Sequence, residues 1–276
     1  MSAFEIGVLV RLTENPEEEI RKVAEFGLHS CQVCTWNPDV YTDNVGETLI
    51  EAAHRYDVDI TTLWAGYTGP LVWNFNDGPR TIGLVPPEYR AMRLEVLEKA
   101  ARFAAKFALP SITTHVGFLP EDPNDVNYLG TLDALGKLVG LCRELGIYFC
   151  FETGQETPVT LLRTIERLGR DNLGINLDTA NLILYGKANP VDALDVFGRY
   201  VRGVHAKDGF YPTSGDELGK EVPLGEGKVD FPALLACLKE IGYTGALTIE
   251  REITGPQQAE DIRAGVEYLR SIIQGL

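Results

Sequence analysis

Short apolar stretches in the second half of the chain end, one after another, on residues of metal-ligand type. IYFCFE closes on Glu152, LGINLD on Asp178, VRGVH on His205 and ALTIE on Glu250. A lone carboxylate at the end of a buried strand is costly unless a cation compensates it. Repeating that costly design on successive strands predicts that the four side chains meet around a shared positive charge. The fold must therefore gather consecutive strand ends at one place.

The earlier part of the chain keeps the same alternation. Residues 4–10 read as a first strand. NPEEE (15–19) then opens a helix, with proline at a first helical position and acids in the first turn, that runs to Phe26 and stops at Gly27. Residues 29–35 and 58–65 read as the next strands, around a helix at 44–56 with Val45, Leu49, Ala52 and Ala53 apolar. A helix at 88–108 presents Met92, Val96, Leu97, Ala100 and Phe103 on one face, and 111–116 forms a fourth strand ending near His115. Helices at 125–145 and 257–273 complete the pattern. About eight such units without a linker demand right-handed crossovers and parallel strands. At 276 residues they predict a single (β/α)8 TIM barrel spanning 1–276. A doubly wound open sheet is the alternative, but the first strand-to-helix turn lacks the G-x-G-x-x-G fingerprint. The longest irregular stretch, 66–87, carries Tyr67, Trp73 and Phe75 and is expected either to cover the catalytic face as a lid or to pack on the barrel rim.

Charge narrows the partners. A net charge of −15 argues against nucleic acid, which needs a basic face. The start, MSAFEI, lacks a basic region followed by an apolar one, and no apolar run approaches membrane-spanning length, so a cytoplasmic protein without a membrane partner is expected. The five cysteines suit reduced core thiols. Cys31 and Cys34 form a C-x-x-C pair, but on a strand residues three apart point to opposite faces and chelate poorly.

In a barrel the reactive face is the C-terminal end of the strands. Three carboxylates and an imidazole there suit one divalent ion, Mn2+ first and otherwise Co2+, Mg2+ or Zn2+, with positions left for substrate oxygens. Around the metal set Glu152, Asp178, His205 and Glu250 stand candidate substrate contacts. Lys207 lies two residues beyond His205 and shares its direction if the strand persists, and His115 closes strand four. Trp64 and Trp73 could pack on the apolar face of a sugar, and Asn181 and Glu156 (with Gln155) could bind hydroxyls. The loop GEGK (225–228) could reach a phosphate. His29 and His54 read as structural or exposed.

The segments GLVPPE (83–88), THVGF (114–118), FETG (151–154), NLDTAN (176–181), VHAKD (204–208) and TIE (248–250) together resemble the xylose isomerase-like barrels. These form a sugar phosphate isomerase/epimerase group that includes ketose 3-epimerases and, more distantly, endonuclease IV-type enzymes. The resemblance implies one divalent metal on Glu152, Asp178, His205 and Glu250. It also implies that Glu152 and Glu250 act as acid and base on a small sugar or sugar phosphate through an ene-diolate. Asn181 stands where the family's epimerases carry a histidine, and 208–228 holds no arginine. Isomerisation, and dehydration of a keto sugar or cyclitol, therefore stay open beside epimerisation, and a catalytically silent sugar-binding barrel is a third reading. The nuclease branch needs more histidines than the four present. A homodimer and a monomer are both compatible with the resemblance.

Overall fold

Runs rich in β-branched and aromatic residues alternate with amphipathic stretches that begin on proline or a capping side chain, and each run becomes the element its pattern favours. The computed structural model describes residues 4–276. Its strands are β1 (Glu5–Arg11), β2 (Ser30–Thr35), β3 (Asp59–Ala65), β4 (Ser111–Thr114), β5 (Tyr148–Glu152), β6 (Leu173–Asp178), β7 (Val201–Ala206), β8 (Asp208–Phe210), β9 (Lys220–Val222) and β10 (Ala246–Ile249). Its helices are α1 (Pro16–Glu25), α2 (Asp43–Tyr56), α3 (Gly78–Thr81), α4 (Pro87–Lys106), α5 (Val126–Glu144), α6 (Pro158–Leu168), α7 (Thr179–Leu184), α8 (Pro190–Phe197), α9 (Phe231–Glu240) and α10 (Pro256–Gln274). Eight strands close in the order β1-β10-β7-β6-β5-β4-β3-β2, and their recorded pairings are all parallel. The fold is a TIM barrel. β8 and β9 form a separate antiparallel ribbon in the loop after β7.

Helix starts follow the caps in the sequence: Thr42 accepts from the Val45 N–H at α2, and Thr157 from the Thr160 N–H at α6. Apolar side chains fill the shell between helices and strands, and part of the lumen is polar. Gln32 on β2 and Asn176 on β6, on opposite sides of the ring, hydrogen-bond directly at 2.9 Å across it.

Some expected boundaries move. β4 stops at Thr114, one residue short of His115, because the Val116 carbonyl accepts from Leu84 N–H of the 66–87 loop. Gly117 (φ +101°) then turns the chain, and a Cβ there would come within 2.3 Å of the Ile82 carbonyl oxygen. β10 ends at Ile249 and β7 at Ala206, so Glu250 and Lys207 sit just past their strands. On α4 the expected apolar face holds at Leu97, Ala100 and Phe103, with Val96 packed against the core, but Met92 is 40% exposed, whereas Arg93 is fully buried. The cause is the 66–87 loop, whose carbonyls at Thr68, Pro70, Thr81 and Gly83 all accept from the Arg93 guanidinium at 2.7–3.2 Å. Among the described residues no helix is long and apolar enough to cross a membrane.

Candidate active site

Glu152 and Asp178 are the last residues of β5 and β6, His205 is the penultimate residue of β7, and Glu250 follows β10. Asp178 pairs in register with His205, whereas Glu152 pairs with Asn176, two residues before Asp178, and His205 pairs with Thr248, two residues before Glu250. Threonines stitch these ends together. The Thr153 hydroxyl donates to the Asp178 carbonyl at 3.0 Å, and Thr179 donates to the Lys207 carbonyl at 2.5 Å. Asp178 also caps α7 by accepting from the Asn181 N–H at 2.7 Å, which fixes one carboxylate oxygen and aims the other inward. The loop carrying Glu250 is held by Arg251, which pairs with Glu221 and Asp261 at 2.8 Å each.

One ligand-type atom from each of Glu152, Asp178, His205 and Glu250 lies within 4.8 Å of the others. His205 Nδ1 is the hub, at 2.8 Å from Glu152 Oε1, 3.0 Å from Glu250 Oε2 and 3.8 Å from Asp178 Oδ2. Burial alone would lower the His205 pKa, but the carboxylates of Glu250 and Glu152 raise it well above the usual imidazole value. Burial pushes Glu152 up to about 8 against the pull of His205. Burial would also raise Asp178, yet Lys207 and His205 together hold it low. Lys207 itself is buried and kept charged by Asp178, Glu250 and Glu252, with Nζ 3.5, 3.5 and 2.8 Å away.

The arrangement fits a divalent ion on its own chemistry. Asp178 Oδ2 and Glu250 Oε2 are buried without a hydrogen bond, although both face His205 Nδ1 and Lys207 Nζ. Buried acceptors are ordinarily satisfied. A hard-to-borderline cation takes this mix of carboxylate oxygen and imidazole nitrogen.

The remaining predicted residues fall into two groups. Trp64 donates its indole N–H to Glu152 Oε2. His115 Nε2 lies 3.7 Å from that oxygen, and its Nδ1 accepts from the Gln155 amide at 3.2 Å. Burial lowers the His115 pKa to about 4, so its imidazole is neutral near pH 7. Asn181 Oδ1 accepts from Lys207 Nζ at 3.3 Å. Trp64, Trp73, His115, Asn181 and Glu250 all line one cleft of about 440 Å³. Glu156 does not line it. It lies buried, one oxygen without a partner, with its pKa pushed by burial to about 8. The 225–228 loop is also excluded as a phosphate cradle, because its N–H groups are already used. Gly225 and Gly227 donate to Asp208 Oδ2 at 3.0 and 2.9 Å, and Val229 donates to Oδ1 at 3.1 Å. Segment 66–87 contributes Leu71 and Trp73 to the cleft, and Asn76 reaches across to Asp216 at 2.9 Å.

Sequence reading missed several neighbours. Trp36, 40% exposed, packs edge-on against Trp64, Tyr67 and Trp73, and its place right after β2 was the available signal. A second cavity of about 440 Å³ adjoins the cleft past Trp36 and Glu250 and reaches Arg11 and Asn37. Cys34 lines both cavities, whereas Cys31 is buried in the apolar core. Gln32 accepts from His205 Nε2 at 2.8 Å. An amide within an otherwise apolar strand was its only sequence mark.

Known proteins share this architecture. A xylose isomerase domain protein from Planctomyces limnophilus is 34% identical, with a TM-score of 0.92 over 98% of this chain and 97% of that one. A D-tagatose 3-epimerase-like protein superposes with a TM-score of 0.73 at 22% identity, covering 98% of each chain, which is likeness of fold. Inosose dehydratase of Lacticaseibacillus casei is 27% identical over 139 residues, 43% of this chain and 45% of that protein. The sequence matches the family described as xylose isomerase-like TIM barrel over residues 20–272, and the chain belongs to that family.

Proposed function

We propose that this protein is a metal-dependent isomerase or epimerase of a small keto sugar, with Glu152 and Glu250 as its proton-transferring pair. The observation that carries the reading is the convergence of the two carboxylates on His205 Nδ1, at 2.8 and 3.0 Å, from well-separated strand ends. Between β5 and β10 lie β6 and β7, so the two glutamates flank whatever occupies the centre. A divalent ion held by Glu152, Asp178, His205 and Glu250, with Mn2+ the first choice, would withdraw charge from a carbonyl and acidify the adjacent C–H.

Glu152, oriented by Trp64 and His205, or Glu250 from the opposite side removes that proton and leaves an ene-diolate. Return of a proton by the other carboxylate to the opposite face gives the epimer, and return to the neighbouring carbon gives the aldose. His115, which lines the cleft, would offer its N–H to a substrate oxygen, and Lys207, buried among Asp178, Glu250, Glu252 and Asn181, would reach one by exchanging a partner. Trp36, Trp64, Trp73 and Leu218 offer apolar surface for a sugar ring and exclude water. With the 225–229 donors given to Asp208, an unphosphorylated substrate is the better fit.

Dehydration is the second reading. The partial sequence likeness to inosose dehydratase favours it, and Asn181 stands in place of the histidine of the resembled epimerases. Both begin with the same proton abstraction. Incubation with Mn2+ and a ketose panel in D2O separates them. The proposal expects solvent deuterium in recovered sugar or its epimer without loss of water, and a product lighter by one water would establish dehydration. Glu152→Gln and Glu250→Gln should each lower kcat by about 10²–10⁴-fold with the fold intact. Wild-type rates in either variant would remove the acid–base assignment.

A further inference from the structure

We infer that Gln32 and Asn176 are positioning residues that hold the His205 imidazole with its Nδ1 lone pair directed at the metal centre. The inference rests on the metal-site reading given above. His205 Nε2 meets Gln32 Oε1 at 2.8 Å. Gln32 Oε1 can only accept, so Nε2 must keep its proton and Nδ1 is left to face Glu152, Asp178 and Glu250 as a ligand atom. The amide of Gln32 is itself held in this sense, because its Nε2 donates to Asn176 Oδ1 at 2.9 Å from the far side of the barrel. All three side chains are buried.

The backbone is built around this chain of contacts. The ladder is irregular beside both amides: β3 carries one extra residue opposite Gln32, between Ile60 and Leu63, and β7 carries Arg202 in excess between Val201 and Gly203, the partners of Ile175 and Asn176. Such irregularities re-aim side chains beside functional sites. On β7, Gly203 faces the pair. A Cβ there would come within 2.3 Å of Asn176 Oδ1 and 3.3 Å of Gln32 Nε2, so glycine leaves the space that the amides fill. Gln32 thus meets the imidazole nitrogen, with Asn176 behind it and the space at Gly203 accommodating both amides.

Isothermal titration of the full-length, metal-stripped protein with Mn2+ tests this. Gln32→Met preserves volume and removes the acceptor, and affinity should fall about 10–100-fold, as for other partners of a ligating histidine. Gln32→Glu restores an acceptor at Nε2, and the Asn176 Nδ2 group, which has no partner now, can turn to donate to it. That variant should stay within about threefold of wild type, a rescue that a packing role alone would not give. Wild-type affinity in Gln32→Met, or an equal loss in Gln32→Glu, would overturn the inference while leaving the metal site standing. Should Gln32→Met fail to fold, Asn176→Leu frees the Gln32 amide to rotate and should also weaken Mn2+ binding, and unchanged affinity would overturn the proposal. Failure of the wild type to bind any ion would instead reject the reading on which the inference depends.

Discussion

The molecule buries charge in two places and treats it in opposite ways. Under the 66–87 loop, Arg93 lies fully buried without a carboxylate partner, its guanidinium donating to four carbonyls and lying over the rings of Tyr67 and Tyr89. At the barrel mouth, three carboxylates surround His205 and Lys207, yet Asp178 Oδ2 and Glu250 Oε2 remain without a hydrogen bond. In the first cluster the charge is met by four protein carbonyls, and it fixes a loop. The second is incomplete, and its geometry makes sense once a further cation is counted. Buried charge alone does not mark a candidate site; unpartnered carboxylate oxygens gathered with other ligand-type side chains around one point are the better signal.

The contrast predicts unequal costs. Arg93→Met would orphan four carbonyls at once, and should lower stability in urea by about 3–5 kcal/mol whether or not Mn2+ is present. A loss below about 1 kcal/mol would show that the loop is held by something else. A smaller effect is expected at Glu156, a buried acid outside the cleft. Burial raises its folded pKa to about 8 from an ordinary 4.5, so the folded state retains a proton that the unfolded chain releases. Its contribution is therefore most favourable below about pH 4.5, falls as pH rises towards 8, and is level above that. Glu156→Gln should remove that slope and raise stability by about 1–2 kcal/mol near pH 8, read from Tm across the pH range. Parallel wild-type and variant profiles would show that Glu156 is not the titrating group.

The barrel and the meeting of Glu152, Asp178, His205 and Glu250 were legible because both rest on local patterns. An apolar run that ends on Glu152 or Asp178 carries its message within a few residues, and eight repeats of strand and helix leave few topologies. Gln32 was not legible, since its meaning lies in His205, 173 residues away, and in Asn176, 144 residues away. Arg93 misled for a related reason. Helical periodicity placed Met92 on the inner face, but the carbonyls of the loop that precedes α4 provide a burial site for Arg93 that helical spacing does not record. Lys207 was expected to follow His205 only if the strand continued. The strand ends at Ala206, and the side chain still reaches Asp178 and Glu250 at 3.5 Å. Whether the 225–228 glycines could serve a phosphate was open in the sequence, because the carboxylate that takes their N–H groups, Asp208, stands on another element, β8.

The most direct test of the central claim is the stoichiometry and affinity of Mn2+ on metal-stripped protein, for the wild type and Asp178→Asn, by calorimetry with elemental analysis. The four converging side chains predict one ion per chain in the wild type. At a free-ion concentration about 100 times Kd this should add about 2.7 kcal/mol of stability. Asp178→Asn should fold normally and lose both the ion and the added stability. An unchanged ion in Asp178→Asn, or none in the wild type, would mean that the buried acids around His205 answer only to one another and to Lys207, and the proposed chemistry would fall with the site.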